Sequence, residues 1–139
     1  MNILADTCVW SLALRRKDGD RSRNERQIVS ELSELIREGR VRVIGLIRQE
    51  LLSGIKSAEQ YEKLRTYLRS FPDETTETTD YETAAKYSNL CRSRGVTVSI
   101  VDVLMCAVAT KRKWSILTTD PDFSNYARVI PVGLHQPRP

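Results

Sequence analysis

The chain has 139 residues and a formal net charge of +4 at neutral pH, with 40% hydrophobic and 29% charged residues. This composition is typical of one globular domain, residues 1–139, and it leaves no apolar run long enough to span a bilayer. The cysteines have no metal-type spacing and the single histidine lies near the end, which argues against zinc sites and histidine-based catalysis. The N-terminus lacks the basic start and apolar core of a signal peptide, so we predict a cytoplasmic protein.

The first predicted strand is the apolar run 3–5, and Asp6 and Thr7 follow it at its carboxyl end. A helical turn over residues 8–14 comes next. A basic segment follows, which is either a solvated arm or a contact for the phosphates of a polyanion. Its cations are Arg15, Arg16, Lys17, Arg21, Arg23 and Arg26.

The middle of the chain alternates between helical and strand patterns. Apolar residues at helical spacing predict a helix over residues 24–38, which Gly39 ends, and residues 41–44 form the predicted second strand. A short helix over residues 46–52 carries Glu50. Two further helices are predicted over residues 57–69 and over residues 80–94, the latter with Asp80 as its cap. Residues 73–79 between them are either a loop or a weak edge strand around residues 75–78.

A buried helix is predicted to begin at Ser99, because Asp102 follows three residues later in a capping-box pattern. Residues 103–109 are apolar on every face of this helix, which indicates burial all round, and residues 111–113 end it with cations. An ionised carboxylate in the first turn of a buried helix requires compensation. No lysine, arginine or histidine nearby in the sequence supplies it for Asp102.

A short strand over residues 114–117 is predicted to deliver a polar segment, residues 118–122, at its carboxyl end. A last strand is predicted over residues 126–132, centred on Val129 and Ile130, and residues 133–139 are predicted to be a C-terminal tail. Because strands alternate with helices, the sequence predicts the α/β class, with a mostly parallel sheet that helices cover on both faces.

Several acidic residues fall near the carboxyl ends of these strands, which meet at one rim of a parallel sheet. They are Asp6, Glu50, Asp102, Asp120 and Asp122. Each one alone is explained equally well as a helix cap or a surface residue. Together they require a compensating cation, and hard oxygen ligands without histidine or cysteine suit magnesium or manganese, which serve phosphoryl chemistry.

The ordered set of motifs resembles the PIN-domain ribonucleases, and the length of the chain resembles the VapC toxins of toxin-antitoxin pairs. The motifs are Asp6-Thr7, Arg48-Gln49-Glu50-Leu51 ahead of Gly54, Asp102 at the head of an apolar helix, and Leu117-Thr118-Thr119-Asp120-Pro121-Asp122-Phe123. Lys113 departs from the glycine that many members carry before the strand, and Gly45-Leu46 replaces a common hydroxyl residue.

The resemblance implies a three-layer α/β/α sandwich and a metal-dependent endoribonuclease that uses Mg²⁺, with Mn²⁺ as a substitute. It implies that the acidic site is formed by Asp6, Glu50, Asp102 and Asp120. Asp122 would be an auxiliary ligand to the metal beside Asp6, Asp102 and Asp120, and Thr7 and Thr119 would be supporting polar groups. The basic segment would then hold the RNA backbone.

The resemblance also implies a small cognate antitoxin, and an assembly that is a homodimer or a hetero-oligomer with it. Trp10, Leu12 and Leu14 follow Asp6 closely and are candidates for its docking surface, unless Trp10 and Leu14 belong to the core.

Two other functions fit parts of the pattern. A haloacid-dehalogenase-type phosphatase also places an aspartate after its first strand, but it requires a second aspartate where this chain has Cys8. A non-catalytic adaptor or RNA-binding module with a PIN-like fold would keep the acids only as helix caps.

Overall fold

The computed structural model describes residues 1–139, except for the side chain of Asp18. The described residues form a parallel sheet in the order β2-β1-β3-β4. Its strands are β1 (Ile3–Ala5), β2 (Val41–Arg42), β3 (Ser115–Leu117) and β4 (Gly133–Leu134). In the register of the sheet, Ile3 of β1 pairs with Val41 of β2 on one side and with Ser115 of β3 on the other. The sheet is flanked by helices, so the predicted α/β sandwich is confirmed.

Helices connect these strands and cover the sheet. They are α1 (Thr7–Leu14), α2 (Arg23–Arg37), α3 (Gly45–Leu52), α4 (Ala58–Leu68), α5 (Thr78–Ser93), α6 (Ile100–Arg112) and α7 (Asp122–Tyr126), with a short 3₁₀ turn at Asp18–Asp20. The hydroxyls of Ser22, Ser57 and Ser99 each accept the backbone N–H three residues ahead, which sets the starts of α2, α4 and α6. None of the described helices is both long and apolar enough to cross a membrane.

The core is built around β1 and α6. Residues 103–109 of α6 are all buried, as the sequence predicts, and β1 is buried along its whole length. Helix α5 packs along α6. Cys91 and Cys106 are buried free thiols in this core, as expected for a chain without a disulfide framework.

Asp80 is buried at the α5–α6 contact, and its predicted role as the cap of α5 is wrong. Glu77 is the N-cap, and Asp80 lies three residues into the capping box, where it accepts the Glu77 N–H at 2.8 Å. Arg112 of α6 donates to Asp80 Oδ1 at 3.0 Å. This ion pair, with burial opposing it, lowers the pKa of Asp80.

The loop alternative for residues 73–79 is correct up to the start of α5, and the edge strand around residues 75–78 is wrong. Asp73 forms only an isolated bridge with Val43.

The last predicted strand, residues 126–132, is also wrong. Tyr126 ends α7, and its carbonyl accepts the N–H groups of Val129 and Ile130, each at 2.9 Å, which turns the chain. Ile130 is buried by packing on the core without joining the sheet. The edge strand is β4, inside the segment predicted to be a tail.

The rest of that segment is held against α2. Glu31 of α2 is only 4% exposed, and it contacts His135 Nε2 at 2.6 Å and Arg138 Nε at 3.0 Å. Arg138 also donates to Glu38 at 2.8 Å. Burial alone would raise the pKa of Glu31, but its contacts with His135 and Arg138 lower it. The C-terminal segment is therefore part of the packed domain.

Candidate active site

Asp6 lies at the carboxyl end of β1, where it N-caps α1. Its Oδ1 accepts the Thr7 N–H at 2.7 Å, and its Oδ2 accepts the Thr118 hydroxyl at 2.7 Å and the Cys8 thiol at 3.4 Å. Burial raises the pKa of Asp6, these hydrogen bonds oppose the rise, and the charge of Asp120 adds to it. The hydrogen bonds thus fix the orientation of the carboxylate, while burial and the nearby Asp120 make its charged form less favourable.

Asp102 lies in the first turn of α6. Its N–H donates to Ser99 Oγ at 3.0 Å, and its Oδ2 accepts the hydroxyl of Tyr126 at 2.9 Å. Burial raises the pKa of Asp102, and the charges of Asp6 and Asp120 raise it further. Its compensating partner is a hydroxyl group rather than the cation that the sequence argument sought.

Asp120 lies between β3 and α7, and Asp122 is the first residue of α7. The Asp122 N–H donates to Asp120 Oδ1 at 2.9 Å, and the Asp120 N–H donates to Thr118 Oγ1 at 3.0 Å. The Asp120 side chain therefore accepts the first N–H of α7 and also lies near the other acids. Burial raises the pKa of Tyr126, and so do the charges of Asp102, Asp122 and Asp120. The ends of β1 and β3 and the start of α6 thus bring three of the predicted acids together, with Asp122 beside them.

Glu50 approaches from α3. Its Oε1 accepts the hydroxyl of Thr7 at 2.8 Å, and Thr7 also donates its N–H to Asp6. Glu50 is therefore linked to the other acids through Thr7, at the exposed edge of the group.

The acids have the oxygen chemistry of a divalent-cation site, but they do not form a preformed cage. Among the described residues, no three histidine, cysteine, aspartate or glutamate side chains are grouped so that they could hold one ion. Magnesium usually keeps several waters and binds through one or two carboxylates together with substrate phosphates. The repelling carboxylates at Asp6, Asp102 and Asp120 fit that open mode of binding.

Three contacting residues were missed by the sequence argument: Cys8, Thr118 and Tyr126. Thr118 holds Asp6, whereas Thr119, the predicted supporting residue, contacts Cys8 Sγ through its hydroxyl at 3.1 Å. The position of Thr118 directly after β3 was an available signal. Tyr126 could have been found by its helical spacing, four residues after Asp122.

The predicted basic segment is mostly occupied with internal contacts. Arg21 donates to the carbonyls of Leu12 at 3.0 Å and Ala13 at 3.2 Å, and Arg16 pairs with Glu25 at 2.7 Å. Arg15 donates to the Leu51 carbonyl, and Arg26 donates to the carbonyl of Arg21 at 3.0 Å.

A basic cleft nevertheless adjoins the acids. It has a volume of about 650 Å³. Its lining includes three cations, Arg15, Arg16 and Lys17, and two acids, Asp20 and Glu25, together with Cys8 and Thr119. Because Cys8 and Thr119 contact the Asp6 region, this cleft leads from the cations to the carboxylates.

A second surface feature, the α1–α4 groove, has a volume of about 570 Å³. Its apolar lining is Leu14, Ile55, Leu64 and Tyr67, and its cationic lining is Arg15, Lys56 and Lys63. Of the apolar residues predicted to form a docking surface, Leu14 lines this groove. That prediction is wrong for Trp10 and Leu12, which are buried in the core.

Comparison with known proteins gives one family and several structures. A family model described as the PIN domain matches residues 3–129. No curated protein sequence matches the chain.

The similar solved structures match over almost the whole chain at low sequence identity. FitAcB from Neisseria gonorrhoeae has a TM-score of 0.76 at 20% identity, covering 97% of each chain. VapBC2 from Rickettsia felis, bound to a promoter DNA fragment, has a TM-score of 0.76 at 14% identity, covering 97% of this chain and 98% of the other. A toxin-antitoxin complex from Klebsiella pneumoniae has a TM-score of 0.65 at 15% identity, covering 96% and 100%. At these identities the likeness shows a shared fold.

Proposed function

We propose, from the premise that the chain belongs to the PIN-domain family, that it is a metal-dependent endoribonuclease and the toxin of a toxin-antitoxin pair. The observation that carries the proposal is the convergence of Asp6, Asp102 and Asp120 from different parts of the chain. Thr118 donates to Asp6 at 2.7 Å and accepts the Asp120 N–H at 3.0 Å, and the charges of both acids raise the pKa of Asp102. Acids that serve only as separate helix caps have no reason to converge at one rim of the sheet.

The ion we propose is Mg²⁺, with Mn²⁺ as a substitute, held by Asp6, Asp102 and Asp120 with Asp122 as an auxiliary ligand. When bound, such an ion activates water and stabilises the charge that develops on a phosphodiester during hydrolysis. Thr7 and Thr118 hold the Asp6 carboxylate in one orientation, and Tyr126 does the same for Asp102. Glu50, held by Thr7 at the exposed edge, is positioned to accept a proton from solvent.

The substrate we propose is RNA, with its phosphates drawn into the basic cleft. The cleft gathers Arg15, Arg16 and Lys17 next to Thr119, so a polyanion would be held against the carboxylates from one side. We propose that the other arginines of the segment, Arg21, Arg23 and Arg26, attract the RNA as it approaches the cleft. The main role of Arg21 is to hold the end of α1, because it donates to two carbonyls there.

Replacing Asp102 by asparagine tests this function. The introduced amide oxygen can still accept from Tyr126, while the charge that opposes folding at neutral pH is removed. We expect Asp102→Asn to be at least as stable as the wild type without metal, to lose Mg²⁺-dependent RNA cleavage, and to melt with a smaller upward shift when Mg²⁺ is added.

The matched control is Glu82→Gln, which neutralises an exposed acid on α5. It should keep both cleavage and the Mg²⁺ shift. An Asp102→Asn protein that also keeps both would refute the site, and a wild type with no cleavage and no Mg²⁺ shift would favour the non-catalytic adaptor.

We further propose that the α1–α4 groove binds an acidic amphipathic segment of the antitoxin. The similar structures include toxin-antitoxin complexes, and the groove of this chain combines apolar side chains with Arg15, Lys56 and Lys63. A segment with a hydrophobic face and carboxylates beside it would complement both features. The assembly would then be a hetero-oligomer, with or without a homodimer of this chain at its centre.

Two exposed tyrosines of α4 provide a matched test. Tyr67 lines the groove and is 42% exposed, whereas Tyr61 does not line it and is 37% exposed. When the chain is co-expressed with the reading frame beside its own, Tyr67→Ala should weaken copurification of that product and Tyr61→Ala should not. Equal retention in both variants would exclude this groove as the docking surface.

A further inference from the structure

A second cleft adjoins the carboxylates from the α6 and α7 side. Its volume is about 690 Å³, and its lining includes residues 96–99, Asp102, Asp122, Asn125 and Tyr126. It shares no lining residue with the basic cleft. We call it the amide cleft, after Asn125.

The amide cleft differs from the basic cleft in its charge. Among the described residues that line it, none is cationic, and Asp102 and Asp122 contribute carboxylates. Away from the ion that Asp102 and Asp122 are proposed to hold, a phosphate in this cleft would find no cationic side chain to pair with. A neutral group with N–H donors would instead find acceptors.

The lining also offers hydrogen-bonding groups on an apolar wall. Asn125 follows Asp122 by three residues on α7, so both side chains lie on the same side of that helix. The Asn125 amide is exposed, and no hydrogen bond joins it to another described side chain. Val96 and Val98 are half-buried and form the apolar part of the lining.

This combination matches one part of an RNA strand. The carboxamide of asparagine can accept from an exocyclic amino group and donate to an acceptor on the same base edge. Unpaired RNA bases are commonly read in this way, with their faces against apolar side chains.

We propose that the amide cleft binds one unpaired nucleobase with an exocyclic amino group, and that Asn125 sets the base preference next to the cut. This inference rests on the proposed ribonuclease function. The strand would lie with backbone phosphates in the basic cleft, the cleaved linkage at the carboxylates, and the selected base beyond them. Asn125 is a specificity residue in this arrangement and touches no reacting atom.

The test maps the cut positions of a randomised single-stranded RNA pool in the presence of Mg²⁺. Asn125→Ala should reduce the preference for an amino-bearing base at one position by about tenfold, the loss expected for one side-chain contact to a base edge. The matched control is Asn89→Ala, on α5 outside the cleft, where the side chain contacts Arg92 at 3.3 Å. A cut pattern that Asn125→Ala leaves unchanged would overturn the inference.

A metal-free titration separates this inference from the proposed function. Cytidine and uridine differ at the position of the exocyclic amino group, so cytidine should shift the amide NMR signals of Thr97 and Asn125 more strongly than uridine. If the wild type does not cleave RNA but these shifts occur, the function fails and the base site stands. If it cleaves RNA and neither nucleoside shifts these signals, the base site fails.

Discussion

The hydroxyl of Tyr126 donates to Asp102 Oδ2 at 2.9 Å, across 24 residues of chain. The bond joins the end of α7 to the start of α6. The Tyr126 ring is buried against Phe123, with the ring centroids 5.0 Å apart. A carboxylate that had no charged partner nearby in the sequence is thus held by a neutral donor from α7, a helix that was not among the predicted elements.

Tyr126→Phe should therefore destabilise the metal-free protein through Asp102. The ring packing is kept, and the loss should be about 1.5 kcal/mol, the lower end for a hydrogen bond to a charged group, because Asp102 is only half-buried. Urea unfolding at neutral pH measures it. Tyr87→Phe is the control, because this half-buried tyrosine of α5 has no hydroxyl hydrogen bond to another described residue; equal losses in both variants would mean that the Asp102 contact is not stabilising.

The fold could be predicted from the sequence wherever a local signal and burial agreed. Ser99 caps α6, and the apolar stretch after it is buried all round, as the pattern predicts. The edge of the sheet was missed because Val129 and Ile130 look like a strand but are turned by contacts with the Tyr126 carbonyl. Two adjacent apolar residues indicate burial, but they do not indicate whether their backbone groups hydrogen-bond to a neighbouring strand.

The candidate site was predictable as a set of acids but not as a set of contacts. The rule that parallel strands end at one rim places Asp6 near Asp120. Which neighbouring threonine points at Asp6 depends on the local turn after β3, and two adjacent threonines give no sequence signal to decide it. Thr118 holds Asp6 and Thr119 contacts Cys8.

Lys113 adopts a left-handed conformation at the C-terminus of α6, with φ of 60°. This is the position where the sequence departs from the glycine of many PIN domains. Lys113→Gly should raise the free energy of unfolding by about 1 kcal/mol, because glycine has no Cβ to strain this conformation. Lys86→Gly, at an exposed position inside α5, should lower it by a similar amount. Thermal melting should show that Lys113→Gly is more stable than the wild type and that Lys86→Gly is less stable. If both variants are less stable, the backbone at Lys113 is not strained.

The basic cleft makes a prediction about salt. Lys17 lines the cleft and makes no ion pair with another described residue, so its charge is available to a phosphate. Lys17→Ala should weaken binding of single-stranded RNA and reduce the salt dependence of the affinity by about 0.7 in the log–log slope. The cut positions should not change, because phosphate contacts carry no sequence information. Lys86→Ala is the control on α5, and an unaltered slope for Lys17→Ala would remove Lys17 from the interface.

Asp80 makes a prediction about pH. Because pairing with Arg112 lowers its pKa below the ordinary value of 3.8, the charged form stabilises the folded state above that pH. The contribution is lost as the pH falls through the folded-state pKa. Asp80→Asn should therefore cost about 2 kcal/mol at pH 7, because the half-buried Arg112 loses a charged hydrogen bond and keeps Glu74, at 3.6 Å, as its acidic neighbour. The cost should be smaller as the pH falls below 3.8. Urea unfolding across this range measures the difference, and a difference that does not depend on pH would contradict the ion pair.

Glu31 and the C-terminal segment should be energetically coupled. Glu31 is 4% exposed and takes its compensating contacts from His135 and Arg138. Deleting residues 135–139 should therefore leave the buried Glu31 carboxylate without its partners and lower the free energy of unfolding by about 3 kcal/mol. In a Glu31→Gln background the buried side chain carries no charge, so the same deletion should lower the free energy of unfolding by at least about 1 kcal/mol less than in the wild type.

This double-mutant cycle separates the ion contacts from the backbone. The deletion also removes the hydrogen bond from the His135 N–H to the Ile116 carbonyl, at 2.8 Å, but that loss is the same in both backgrounds and cancels. The control background is Glu34→Gln, an acid of the same helix that pairs locally with Arg37 at 2.6 Å. Since Glu34 does not contact the C-terminal segment, its cycle should show no coupling. A deletion that costs the same in the wild type and in Glu31→Gln would mean that the segment is held by β4 alone, and that the charges at its end contribute nothing to folding.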